Sequence, residues 1–439
     1  MRSNVPTALN DLSAYIEKFV SLAGRKRWFK GADQLEREPN KSPYRWKIVS
    51  DYHWLEMAIS FQADVLEKEG RLIPELVDHS ILASLNFAAT VVEVHAQLSP
   101  NGKRVLEGRI RDSLKAETGF AALYLELDLA QRLMDAGYDV QFPDIEGTGQ
   151  FDLLFGRDAF VGEVECKSLS ADAGRPIHRK DFYRFIEKTL PILQKRLTVG
   201  PREVLVITLV DRLSRHGADQ SQLLEAVERI LNDDEPRIIE SDAFKLELVP
   251  YSQVLQGAPA YDQKAFYKAC NQAFGPNTHA AGAVTEDGGC LIVMRSQRED
   301  DTSKPMLVAM RKAASQFSGQ RPAFIAIQEH GIDSPDLMLP HVRRRAGILS
   351  YALFGHYGGD HVNATYFTGF GAVVHRDGLL GTPAFAIPNP QPKFPIPPSE
   401  ATTFLEFISD QDFADAIGAP LPAPNISNLA FDEEEELDR

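Results

Sequence analysis

Cysteine is scarce in this chain, with Cys166, Cys270 and Cys290 the only three among 439 residues. They are widely separated and form no CxxC pair, which excludes a cysteine zinc site and a disulfide framework and fits a reducing, cytoplasmic setting. Long apolar runs are missing too. With no stretch of about eighteen apolar residues, no membrane span is expected, and Met1-Arg-Ser-Asn-Val-Pro6 has no apolar signal core. There is no P-loop, nucleophile elbow or HExxH, so the chain carries no ATPase motor of its own. His356 and His361, with Asp360, lack ligand spacing and sit in glycine-rich sequence, where a loop is expected. Positive charge is in deficit, and a formal net charge of −15 argues against a protein that coats nucleic acid generally.

What is present is the composition of a soluble globular protein, long enough for two or three domains. Residues 1–115 read as mainly helical, from apolar spacing over Tyr15–Ala23, Trp54–Leu66 and Ile73–Leu98. Residues 236–382 alternate helical and strand-like segments. Residues 383–398 are rich in proline and read as an extended connector without strand or helix. A short helix at Phe404–Phe413 and an acidic tail, Asp432–Asp438, follow.

The informative stretch is Gln150-Phe-Asp-Leu-Leu-Phe155, then Val161-Gly-Glu-Val-Glu-Cys-Lys167. A carboxylate inside an apolar strand is costly unless a cation meets it. Strand alternation sends Glu163, Glu165 and Lys167 to one face and Gly162, Val164 and Cys166 to the other. With Asp152 on the neighbouring strand, the carboxylates and the ammonium form a divalent-metal site with a lysine at its edge. A helix over about 117–136 precedes these strands. On it, Glu126 has Leu129, Ala130 and Leu133 at i+3, i+4 and i+7, the edge of a buried stripe. Asp128 has Gln131, Arg132 and Asp135 at the same offsets, a solvated face, and Glu117 is a second choice behind Glu126.

These residues resemble the PD-(D/E)xK nuclease superfamily, with Asp152, Glu165, Lys167 and the helix acid Glu126 as the matching pieces. The order of segments agrees: a helix ending at Gly137, strands near Asp139–Phe142, Phe151–Phe155 and Phe160–Lys167, a helix over Arg179–Leu197, and a β-branched strand at Val204–Val210. The proline that the family places before the aspartate is absent, Gln150-Phe151 standing there instead. The resemblance implies an α/β fold. It has a restriction-endonuclease-like α-β-β-β-α-β core at 116–235, a helical N-terminal region at 1–115, an additional α/β region at 236–382, and a Pro-rich connector with an acidic tail at 383–439.

It also implies chemistry. Mg²⁺ or Mn²⁺ is expected on Asp152, Glu165 and the backbone carbonyl of Cys166, with Glu126 joining directly or through water. Lys167 is expected to orient the attacking water and stabilise the phosphorane, so that Glu126, Asp152, Glu165 and Lys167 form the catalytic set. Glu163 is left open between an extra ligand and a partner of a basic residue on the flanking helix. Basic side chains outnumber acidic ones over Lys167–Arg202, and Lys180, Arg184 and Lys188 share one helical face, a candidate phosphate track. Arg25–Lys30 and Arg343–Arg345 are further basic clusters. The expected function is a metal-dependent endonuclease, on DNA in preference to RNA, in genome defence or DNA processing. Targeting would come from a second copy or a partner protein. The alternative is a catalytically idle nuclease-like module that binds nucleic acid or a protein.

Overall fold

Helical apolar spacing runs through most of the first 113 positions, and it folds as helix. The computed structural model describes residues 1, 9–41, 43–72, 79–196, 201–214, 217–232, 237–255, 269–270, 272–275, 278–285, 288–333, 337, 339–370, 373–374, 380–381, 384–397 and 400. Its first elements are α1 (Leu9–Ala23), α2 (Arg25–Lys41), α3 (Pro43–Tyr52), α4 (Trp54–Glu69), α5 (His79–Gln97), α6 (Pro100–Ser113) and α7 (Ala121–Asp135). Then come β1 (Asp139–Gln141), the one-turn α8 (Pro143–Glu146), β2 (Leu153–Arg157), β3 (Phe160–Ser170), α9 (Arg179–Arg196), β4 (Arg202–Leu209) and α10 (Gly217–Asn232). The chain continues through β5 (Ile238–Glu240), β6 (Phe244–Pro250), α11 (Tyr251–Val254), β7 (His279–Val284), β8 (Gly289–Ser296), α12 (Ser303–Gln316) and β9 (Ala323–Asp333). It ends in α13 (Pro340–His356), β10 (Val362–Phe370), a small ribbon of β11 (Val373–Val374) and β12 (Leu380–Gly381), and β13 (Ala384–Pro388). The expected helix at Phe404–Phe413 and the acidic tail lie outside the described residues.

The fold is mixed α/β, in two units. The first unit comprises Met1–Leu35, Asp51–Ala171 and Ser303–Arg439. Its sheet has the strand order β1-β2-β3-β9-β10-β13. β2 and β3 form an antiparallel hairpin in which Phe155 faces Gly162. β3 runs parallel to β9, and β9 parallel to β10. One face, with Phe155, Val164 and Phe324, packs on α7 and the N-terminal helices through Leu127, Leu133 and Phe120. The other, with Ile325 and Ile327, packs on α12 and α13 through Met310 and Leu349. Burial on both faces explains why β9 reads as a continuous apolar run.

Parallel strands need a crossover, and between β3 and β9 that crossover is unusually long. The chain leaves the sheet after β3, builds most of the second unit (Glu36–Ser50 and Asp172–Thr302), and returns through α12. A continuous core at 116–235 is therefore overturned. The helix and strand that follow β3 in its own sheet are α12 and β9, not α9 and β4, and they come from the segment read as an additional region. The proline-rich stretch also departs from expectation: Ala384–Pro388 forms β13, an edge strand antiparallel to β10, where proline is tolerated.

The second unit's sheet has the order β5-β6-β4-β8-β7. β4 and β8 are parallel, and their neighbours antiparallel. α9 and α10 bury Phe182, Phe185, Ile186 and Val227 on one face against Leu205, Ile207 and Ile292. Glu203, 1% exposed at the start of β4, is neutralised by Arg196 and Arg237. No described helix is long and apolar enough to cross a membrane.

Candidate metal centre

Three carboxylates converge at the start of β2. Glu126 comes from α7, Asp144 from α8 and Asp152 from the residue before β2, and one oxygen of each lies within 4.8 Å of the others. Local sequence explains each placement. α7 buries Leu123, Leu127, Ala130 and Leu133, and Glu126 rides the edge of that stripe, only 4% exposed. Asp128 instead pairs with Arg132 at 2.8 Å, and Glu117 is exposed in the turn before α7.

Asp144 is a member that sequence patterning does not single out. Pro143 opens α8 at a position where a missing N–H costs nothing, and Asp144 Oδ1 accepts from the Ile145 N–H at 2.6 Å. Glu146 of the same turn accepts from the Ser99 N–H at 2.9 Å and from the Ser99 hydroxyl, clamping α8 onto the start of α6. Further along α6, the Arg109 guanidinium donates to Glu126 at 2.9 Å and to Asp144. The signal that could have found Asp144 is Pro143-Asp144 itself, a proline–aspartate pair of the kind absent at Asp152. Arg109 carries no such signal.

Asp152 is held by the main chain of β3. The Cys166 N–H donates to Asp152 Oδ2 at 2.7 Å, and the Asp152 N–H donates to Glu165 Oε2 at 3.2 Å. The other oxygen of Glu165 accepts from Lys167 Nζ. Lys167 also donates to Gln316 Oε1 at 2.8 Å, and Gln316 Nε2 donates to the Gln150 carbonyl at 2.9 Å. Asp152, Glu165 and Lys167 are thus neighbours, but Glu165 is engaged by Lys167 and the Asp152 amide, and Asp144 completes the converging group in its place. Cys166 lies between them on β3, its side chain against the helical core. Glu163, fully buried, accepts from the Ser318 N–H at 2.9 Å and the Ser318 hydroxyl at 2.5 Å, with Arg321 at 3.6 Å. It anchors the turn between α12 and β9. Lys180, Arg184 and Lys188 belong to α9 of the second unit, whereas the carboxylates belong to the first. On α9, Arg184 faces Asp181 at 3.6 Å and Lys188 donates to Gln220 at 2.5 Å.

The electrostatics are those of crowded, largely buried acids. Burial and then the Asp152 charge push the Glu126 carboxyl well above its ordinary range, against the pull of Arg109. Burial, with the Glu165 charge, pushes Asp152 up to about 7, although the Cys166 N–H favours its ionised form. Glu165 is also raised by burial, and Lys167 opposes this. One guanidinium stands against three carboxyl groups, and the raised pKa of Glu126 and Asp152 marks the cost of ionising all three together. Glu126 Oε1 is buried without a hydrogen-bond partner among the described residues. Hard oxygen donors with one unpartnered lone-pair set fit Mg²⁺ or Mn²⁺ better than a softer ion. No protein-family model, curated protein or solved structure matches the chain.

Proposed function

We propose that this chain is a divalent-metal-dependent nuclease of the PD-(D/E)xK type, with a restriction-endonuclease-like core and DNA as its substrate. The observation that carries the reading is the buried, unpartnered Glu126 Oε1 beside Asp144 and Asp152, with Lys167 fixed next to them by Glu165 and Gln316. The order α7-β1-β2-β3-α12-β9 within one sheet supports the core assignment. Two features are departures: the acid-bearing turn α8, and the insertion of Asp172–Thr302 between β3 and α12. The scarcity of cysteine supports a cytoplasmic setting.

Asp152, Asp144 and Glu126 would hold Mg²⁺ or Mn²⁺, which supplies an activated water and draws charge from the scissile phosphate. Asp152 keeps its orientation through the Cys166 N–H. Glu165 holds Lys167 in place, so that its ammonium would orient the attacking water and stabilise charge building on the phosphorane. Gln316 is a positioning residue, limiting the lysine's rotamers from the opposite side. The idle-module reading is favoured by one observation, the Arg109 guanidinium that already spans Glu126 and Asp144.

Plasmid, linear duplex, single-stranded DNA and RNA, each with Mg²⁺, Mn²⁺ or EDTA, separate the two. Duplex cleavage with either metal, lost in EDTA and in Asp152→Ala, supports the nuclease. Retained DNA binding with no cleavage under any condition supports the idle module.

A further inference from the structure

The second unit has a cavity of its own that the proposed cleavage chemistry does not use. It measures about 750 Å³, the size of a nucleotide site. Thr208 and Arg295 stand opposite each other at the carboxyl ends of the parallel strands β4 and β8, and both line it. This is where an open α/β sheet leaves a crevice, because the loops that follow parallel strands diverge. Ile177 and Phe274 supply apolar wall.

Charge in the cavity is arranged unevenly. Lys245 is matched by Glu247 at 2.9 Å, Arg175 by Asp300 at 3.5 Å, and Arg298 by Asp211 at 3.0 Å. Arg295 has no carboxylate partner among the described residues. Its guanidinium is held by neutral acceptors, Nε donating to Thr208 Oγ1 at 3.1 Å and Nη1 to the Phe274 carbonyl at 3.4 Å. A guanidinium carries five N–H donors and no accessible neutral form, so donors on both terminal nitrogens remain unspent. Beside it, Arg175 Nε and Asp300 Oδ2 are buried without a hydrogen bond despite their ion pairing. Glu299 also lines the cavity, so four basic side chains face three acidic ones there, and Arg295 is the basic one with no carboxylate partner among the described residues.

We propose that this cavity binds a small organic phosphate of nucleotide size, with Arg295 receiving the phosphate. The planar guanidinium fork matches two phosphate oxygens at once. The third oxygen is what favours phosphate over carboxylate, since Arg175, Lys245 and Arg298 surround the same space with only one carboxylate partner each. Positioned donors are costly to leave unmatched once water is displaced, so a phosphate-free analogue should be rejected.

Calorimetric titration of the full chain with AMP, ATP, adenosine, inorganic phosphate and citrate tests this without reference to cleavage. Saturable binding of AMP or ATP, with adenosine and citrate much weaker, is expected. Arg295→Ala should weaken it by about ten- to a hundredfold, and Arg295→Lys by less, because charge returns without the fork. Should Arg295→Ala not fold, phenylglyoxal labelling of the wild-type chain serves instead, and AMP should protect Arg295 from modification. Failure of every phosphate to bind, equal binding of citrate or adenosine, an unaffected Arg295→Ala variant, or labelling of Arg295 that AMP does not slow would each overturn the proposal.

Discussion

At the residue scale, the centre is the buried carboxylate of Glu126, which Arg109 meets on one oxygen and which has no hydrogen-bond partner among the described residues on the other. Glu126, buried, and Asp144 and Asp152, partly buried, crowd one another, and a bound divalent ion would relieve their repulsion. Saturating Mg²⁺ or Mn²⁺ should therefore raise the thermal midpoint by roughly 2–5 °C, and Asp152→Ala should abolish the rise without loss of secondary structure. An equal shift in both proteins, followed by circular dichroism, would remove the site as drawn. Lys167→Ala should leave that metal-linked rise intact while cleavage falls by roughly a hundredfold or more. A third residue gives a pH prediction. His279 is half-buried against Phe182 in the lining of the second unit's cavity, pairs with the Ile177 carbonyl through Nε2 at 3.0 Å, and faces Asp172, Arg175 and Arg179. Burial holds its pKa down at about 4, below the ordinary 6.5. The unfolded chain then binds the proton more readily, so stability is full above about pH 6.5 and is lost as pH falls towards 4. Replacing it in His279→Gln should flatten this part of the urea-midpoint profile, and an unchanged slope would mean another group is responsible.

At the element scale, what could be read from sequence depended on how local its cause was. Glu126, Asp152, Glu165 and Lys167 were legible because strand alternation and helical offsets are set within a few residues. The helix beyond β3 was not. α9 follows β3 in sequence and is amphipathic and basic, yet α12 packs on β3, after an insertion that has its own sheet and core. No local pattern distinguishes a core helix from the first helix of an inserted unit. Gln316 was invisible for the same reason, since it reaches Lys167 across 149 positions. Gln316→Ala should accordingly lower cleavage by about tenfold while metal-linked stabilisation stays at the wild-type value, and full activity would return Lys167's positioning to Glu165 alone. The β2–β3 hairpin carries a packing test. The Phe155 ring lies over Gly162, where an added Cβ would meet Phe155 Cζ at 2.6 Å. Gly162→Ala should destabilise the chain by about 1–3 kcal/mol, measured by denaturant midpoint, and a neutral substitution would show that the ring moves aside freely.

At the scale of the whole molecule, the acidic balance and the insertion bear on how the proposed substrate would be held. With a net charge of −15, the proposed nuclease would have to hold substrate phosphates with local basic surface. Charge reversal in Lys180→Glu/Lys188→Glu, on α9 of the second unit, measures whether that face takes part. If it does, the log–log salt dependence of DNA binding should flatten by about one unit for each phosphate that is no longer neutralised. An unchanged slope assigns the face to solvent. The most direct test of the account is the cleavage of duplex DNA by the wild-type chain and by Asp152→Ala, in Mg²⁺, Mn²⁺ and EDTA side by side. Cleavage by the wild type in either metal is expected, and none in EDTA or in the variant. Cleavage that survives in Asp152→Ala, or that continues in EDTA, would contradict it.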